Sequence, residues 1–368
     1  MRPDILNLFV AACMGLAACG DNLGTAPEPP PPPSLRLYDY VQAIDVTPDG
    51  RTALFGDIST AEGRLWFVDT VTGEAEHRTD VGDPLRAFAT GIAQDGTVSA
   101  LHGDPVQAGV WTTAGGWRDL PSPHPTGCDQ DIAGAWDVSA DGGTVVGLTW
   151  DGCTVEAFRW SAATDTLTRL ARLGARLGDG SGAPDNRATV VSDDGAIAAG
   201  WAMTSIVDRA PAFWRADGTG TLLPRSADDA PGEVLAIDAD GGVMAGVDGA
   251  DGVVWRDGAR TLVPRLDTLL PSDPVYPNAL TADGAIVLGG QGSAFFGTPE
   301  AFMWSAAGGL RRLADVVTDA GLTVPSGVAL TSALAASSDG TVIVGTALTL
   351  DTNASQVFTL RLPADAIR

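Results

Sequence analysis

An Asp-Gly pair followed by a short apolar run and a glycine recurs seven times along this 368-residue chain, at Asp49, Asp95, Asp141, Asp194, Asp240, Asp283 and Asp339. The steps between them are 46, 46, 53, 46, 43 and 56 residues. A period of that length marks one supersecondary unit copied along a chain. No single copy can bury its own apolar face, so each has to stack on its neighbours. The clearest copy is Val138-Ser-Ala-Asp-Gly-Gly-Thr-Val-Val-Gly147.

Each Asp-Gly reads as a hairpin. In Thr47-Pro48-Asp49-Gly50, Pro48 and Asp49 suit the centre of a type I turn. Gly50 then supplies the left-handed residue that closes a three-residue hairpin with a bulge. The seven aspartates are on this reading backbone devices, not catalytic or calcium-binding carboxylates. The strand after the turn (Val145–Gly147, Ile197–Gly200, Val342–Gly345) has no polar alternation, so both its faces are buried. The next strand carries Trp66, Trp111, Trp160, Trp214, Trp255 or Trp304, and Phe358 in the last copy. A large ring repeated once per unit predicts packing between units rather than sugar stacking. A polar turn, a Leu-bearing strand such as Leu167–Leu170, and an Ala-rich strand such as Ala133–Val138 complete the copy.

Four short antiparallel strands repeated seven times predict an all-β, seven-bladed β-propeller over residues 34–368, built from roughly 46-residue units. The last copy ends a strand short after Gln356–Leu362, while Ser34–Tyr40 is a spare strand ahead of the first. That strand is expected to complete the seventh blade and join the ends of the ring, removing exposed edges. Two insertions break the period. Within Leu173–Arg187, the oxygen-bearing residues of Gly178–Asn186 match no standard calcium loop. Leu313–Leu322 reads as a short helix stopped by Gly321. Loops on a rigid scaffold carry binding, so these insertions are the first place to expect a site.

The N-terminus has a separate character. Ile5–Ala18 is apolar but shorter than the ~20 residues a bilayer span takes, and fits the core of a secretory signal. It ends in Leu16-Ala17-Ala18-Cys19-Gly20. Residues 20–34, with Pro29–Pro33, read as a polyproline II tether. With 22 basic against 46 acidic residues the net charge is −24, which argues against nucleic acid and against docking on anionic lipid headgroups. It fits a soluble, monomeric body.

The Leu16–Cys19 stretch resembles the lipobox of bacterial lipoproteins. That resemblance implies a signal peptide over residues 1–18, lipidation of Cys19, and a tether over 19–33. It also implies an outer-membrane anchor, since Gly20 rather than Asp follows the cysteine. Cys13 would leave with the signal. Cys128 and Cys153 are then the one pair available in an oxidising compartment, and a disulfide is expected between them. The repeats resemble the HAF-type repeats of exported bacterial proteins, with Glu156-Ala-Phe-Arg-Trp160 and Glu300-Ala-Phe-Met-Trp304 as the nearest matches to that pattern. The family implies an envelope or extracellular location and transfers no catalytic residues.

No nucleophile, P-loop, dinucleotide or zinc-protease motif stands in the sequence, and His77, His102 and His124 lack ligand spacing. No cofactor, metal or catalytic residue is therefore assigned. The expected function is an envelope-anchored, non-enzymatic binding or scaffold lipoprotein, held to the membrane by lipid at Cys19, that recognises a protein or glycan. The alternative is a propeller hydrolase or lyase acting on an extracellular polysaccharide. Two or more carboxylates, or a carboxylate with an Arg or Tyr, converging in a deep central pocket would mark the enzyme, and a narrow or plainly apolar channel the scaffold.

Overall fold

A computed structural model of the protein describes residues 30–40, 42–57, 64–78, 87–103, 106–121, 134–151, 154–174, 185–205, 208–227, 230–293 and 297–367. Seven four-stranded antiparallel sheets make up the unit Pro32–Arg368. The architecture is the expected seven-bladed β-propeller. Six sheets take their strands in chain order, from the ring axis outward. The seventh does not. Its outermost strand is Ser34–Tyr38, paired with Ala354–Arg361 in the register Ser34↔Arg361 to Tyr38↔Val357. The spare strand thus closes the ring. Leu35 and Leu37 pack on the core beside Phe358, while Tyr38 and Tyr40 pack beside Phe55 and Trp66 of the first blade. Arg36 also ties this strand to the first blade by donating to the carbonyls of Thr70 and Val71, at 2.9 and 2.8 Å.

The repeated tryptophans pack between blades. Trp111 shares a core with Leu54 and Phe67 of the preceding blade, Trp160 with Ala108 and Val110, and Trp214 with Val146 and Leu170. Trp255 does the same against Ala199 and Leu223. In the seventh blade Phe358, fully buried, takes the position. At the seam of the ring, Trp66 packs against Val342, Val344 and Val357.

All seven turn glycines have positive φ, from +64° at Gly284 to +84° at Gly96, as the turn reading requires. The hairpins differ from expectation in length. Only the second blade closes over three residues, Ala93 N–H donating to Thr97 O. In the first blade Thr47 N–H reaches Thr52 O, so four residues intervene. A side-chain oxygen at the start of the turn explains the extra residue: it is a hydroxyl in five blades and the carboxylate of Asp238, which accepts from Val243 N–H at 3.0 Å, in the fifth. Thr52 N–H donates to Thr47 Oγ1, the Thr47 hydroxyl donates to Asp49 Oδ1, and Arg51 N–H donates to the same oxygen. Ser139/Asp141, Ser192/Asp194, Thr281/Asp283 and Ser337/Asp339 repeat the hydroxyl-to-carboxylate bond. Blade two has Ala93 there and no hydroxyl to support a fourth residue. The hydrogen bonds have an electrostatic signature. The Ser139 hydroxyl and Gly143 N–H hold Asp141 below the usual carboxylate range.

Every inner strand also carries a β-bulge at one level, for example between Ala43 and Asp45 and between Ala135 and Asp137. The bulge pulls the inner strand onto its neighbour. A Cβ on Gly147 would lie 2.1 Å from Gly134 O, and one on Gly246 2.0 Å from Glu233 O. The glycine six residues after the Asp is therefore a close-approach position.

Antiparallel alternation puts the Asp-Gly turns at one end of every blade, with the connections between third and fourth strands. The strand ends that flank the second-to-third connections and the links between blades fall at the opposite, loop-rich end. The second insertion belongs to that face, and most of the first lies outside the described residues. The second is the expected helix, Leu313–Asp319, which buries Leu313, Val316 and Val317. Gly321 (φ +76°) ends it, and Leu322 N–H donates to Val317 O.

Candidate functional site

The inner strands surround an axial cavity of about 460 Å³. The extra residue of each bulge projects to its wall: Ile44, Thr90, Trp136, Thr189, Leu235, Asn278 and Leu334. A bulge shifts the alternation of the strand, so that one side chain per blade faces the axis. Among the described residues lining the cavity there is no Arg, His, Tyr or Cys.

Two of the residues that follow a bulge are acidic. Asp45 accepts from its own Val46 N–H (2.7 Å) and from Ile92 N–H of the next blade (2.9 Å). Asp137 repeats this with Val138 N–H and Val191 N–H, both at 2.8 Å. Each carboxylate therefore bridges two blades. The equivalent positions in the other blades hold Gly91, Val190, Ala236, Ala279 and Ala335. Gly91 leaves room between the acids, since a Cβ there would sit 2.8 Å from Asp137 Oδ1.

Both acids keep part of their surface open to the cavity, whose wall also carries Gln42, Thr90, Thr189, Asn278 and Ser338. Burial pushes Asp45 up to about 7 against the pull of its two N–H donors. Burial, and then the charge of Asp45, hold Asp137 well above the usual range. Asp193, also in the wall, is raised by burial and by the charges of Asp194 and Asp238. Three acids without a cation among the lining residues make the wall reluctant to ionise.

A second cluster stands at the loop-rich end of blades three and four. The Arg187 guanidinium lies 4.0 Å from the ring centre of Trp136 and 5.7 Å from that of Trp201. Arg209 covers Trp201 at 4.3 Å. Glu233, from blade five, accepts from Arg187 Nη2 (2.5 Å) and from the Thr189 hydroxyl (2.6 Å).

Elsewhere, His102 Nδ1 meets Asp119 Oδ1 at 2.7 Å, and its ring stacks on Trp117 at 4.5 Å. Among the described residues no nucleophile is paired with it, and no three His, Cys, Asp or Glu side chains are grouped to hold a metal. Cys19, Cys128, Cys153, His124 and most of Gly178–Asn186 lie outside the described residues.

Neither acid of the inner wall nor the Trp–Arg cluster follows from a motif. One sequence signal exists. When the copies are aligned, Asp45 and Asp137 stand four residues before their turn aspartates. Most other copies have a small residue there.

The chain matches no known protein family and no curated protein. Solved structures show the fold. A β-propeller domain of Cps50 (Swd1) from Myceliophteria thermophila aligns at a TM-score of 0.55 and 12% identity, over 90% of this chain and 100% of that one. Virginiamycin B lyase from Staphylococcus aureus aligns at 0.54 and 12%, over 90% and 99%. Oligogalacturonate lyase from Vibrio parahaemolyticus aligns at 0.55 and 11%, over 90% and 92%. At these identities the likeness is one of fold, and a propeller serves unrelated functions.

Proposed function

We propose that this protein is an envelope lipoprotein of the HAF-repeat type, anchored through lipid on Cys19, whose propeller binds an extracellular glycan without turning it over. The observation that carries the binding reading is the asymmetry of the ring. Among the described residues, the helix and the Trp–Arg cluster stand at the end of the blades where the chain passes from one blade to the next, while the Asp-Gly turns at the other end are short. A rigid scaffold with its variable loops on one face is the arrangement of a recognition surface. The lipobox resemblance, the proline tether and the net charge support an exported, monomeric body.

A propeller hydrolase or lyase is the second reading, and the Asp45–Asp137 pair favours it. Two carboxyls in one cavity, both pushed above the usual carboxylate range, are what general acid catalysis uses. Against it, both oxygens of each carboxyl already accept main-chain N–H groups, and no Arg, His or Tyr among the described lining residues would complete a constellation.

Two measurements test the proposal. Full-length protein and Cys19→Ser are fractionated from labelled cells, and the variant is expected in the soluble fraction. Retention of the variant in membranes sinks the anchor. A panel of extracellular polysaccharides is then incubated with the wild type and with Asp45→Asn and Asp137→Asn. Binding without new reducing ends or unsaturated products is expected. Turnover lost in the Asn variants would establish the enzyme instead.

A further inference from the structure

The axial cavity holds three carboxyls and no countercharge. Asp45, Asp137 and Asp193 line it, and no Arg, Lys or His among the described lining residues does. The acids stand at two levels. Asp45 and Asp137 each follow a bulge directly, at the level where the fourth blade has Val190. Asp193 comes three residues after Val190, which at ~3.3 Å per residue puts it up to about 10 Å nearer the Asp-Gly end. Between the two levels the cavity is lined by Ile92, Val138, Val191, Ile237 and Leu280. Asp193 is the barest of the three. Asp45 and Asp137 accept main-chain N–H groups from neighbouring blades. Asp193 is half-buried and accepts no hydrogen bond from a described residue, and the charges acting on it, Asp194 and Asp238, have its own sign.

A carboxylate withdrawn from water is costly until a cation pairs with it. In this cavity the cation has to come from outside. The order along the axis is charge, apolar belt, charge, and a linear diamine repeats it as ammonium, methylenes, ammonium. A compact metal ion does not fit that order: among the described residues no three His, Cys, Asp or Glu side chains are grouped to hold one. The volume of about 460 Å³ lies within the range of small-molecule sites. The net charge of −24 raises the concentration of cations around the body.

We propose that the axial cavity is a binding site for a linear aliphatic diamine, one ammonium against Asp45 and Asp137, the other against Asp193, and the methylenes on the apolar belt between them. The site is separate from the loop-rich face and stands whether or not that face binds a glycan. Burial raises all three acids, and an ammonium at each level favours their charged forms. Both ends of the ligand are read, so a chain of the same length with one charge loses one of its two pairings.

The test is calorimetric titration of the full-length protein in detergent with 1,6-diaminohexane, 6-amino-1-hexanol and 1,6-hexanediol, which share a chain length and differ in charge. The wild type is expected to bind the diamine at least about tenfold more tightly than the amino alcohol, and the diol not at all. Asp193→Asn is expected to bring the diamine down to the affinity of the amino alcohol. Its melting temperature should be unchanged or higher, since the side chain makes no hydrogen bond to a described residue and stands among like charges. Asp257→Asn, on the exposed outer turn of the fifth blade, removes the same charge outside the cavity and is expected to bind as the wild type does. Equal binding of diamine and diol, or of none of the three, overturns the site. Wild-type affinity in Asp193→Asn removes the second ammonium pocket and with it the diamine. An equal loss in Asp257→Asn means that net charge sets the affinity, and overturns the cavity as its seat. Displacement of the diamine by magnesium chloride, beyond that by sodium chloride of the same ionic strength, means an inorganic cation site instead.

Discussion

Neutralising Asp45 separates a structural staple from an acid that the fold would rather keep protonated. Its folded value is about 7 against 3.8 for a free aspartate. The shift of about three units corresponds to ~4 kcal/mol at the outside, and opening of the side chain to the cavity discounts this to roughly 2 kcal/mol. The folded value is raised, so the folded state binds the proton more tightly than the unfolded chain. The stability this provides is complete below about pH 4, drains away as pH climbs toward 7, and is gone above it. The side chain of Asp45→Asn cannot ionise, so that loss should be absent from the variant. The substitution has its own cost. The amide oxygen can serve one main-chain N–H, while the amide nitrogen meets the other, at about 1–3 kcal/mol. Asp45→Asn should therefore be less stable than wild type at pH 5, with the gap closing by about 2 kcal/mol at pH 8. Urea unfolding of both proteins at the two pH values measures this directly. Parallel stability curves across that window would refute the reasoning. The turn aspartates do not confuse the comparison: Asp141 and Asp283 are lowered by their hydroxyl and N–H donors, away from the window in which Asp45 titrates.

Three further outcomes follow from the ring. Deleting Ser34–Tyr40 strips five strand pairs, two leucines and two tyrosines from the seventh blade, at a cost on the order of 5 kcal/mol; it also bares an edge, so a lower melting temperature with concentration-dependent aggregation is expected, and an unchanged melt with a monomeric elution profile would contradict it. Gly246→Ala places a methyl 2.0 Å from a main-chain oxygen that cannot move cheaply, so a loss of about 3 kcal/mol is expected in denaturant unfolding, against less than about 1 kcal/mol for Gly297→Ala, where a Cβ meets nothing within 4 Å. Non-reducing peptide mapping of exported protein should recover Cys128 joined to Cys153; quantitative alkylation of both thiols in native protein would remove that pairing.

The fold is readable because its unit repeats. Asp49-Gly50 and its copies announce turns, the tryptophans one blade-to-blade contact, and the short last copy a missing strand. The hairpin length expected from the turn residues falls one short for a physical reason. Thr47 and Ser139 act through hydroxyl bonds to Asp49 and Asp141, a network that turn preferences for the two central residues do not contain. The cavity wall is harder. Thr189 and Trp136 reach the axis, and Asp45 and Asp137 reach across to the next blade, only because a bulge shifts the alternation. A bulge leaves no signature beyond the glycine on the adjacent strand. The Trp136–Arg187–Trp201–Arg209 cluster draws on two blades and on four separate strands, and each residue alone reads as ordinary strand sequence.

The clasp has a temporal side. Ser34–Tyr38 is the earliest strand of the domain to be made, and Ala354–Arg361, its partner, is the last. Bringing together segments more than 300 residues apart carries an entropic charge on the order of 5 kcal/mol from chain length alone. No contact made midway through synthesis can lower it unless the six intervening sheets have already curved the chain round. The wheel can therefore lock only once Ala354–Arg361 has been made, and a product cut short before that strand would persist as an open arc.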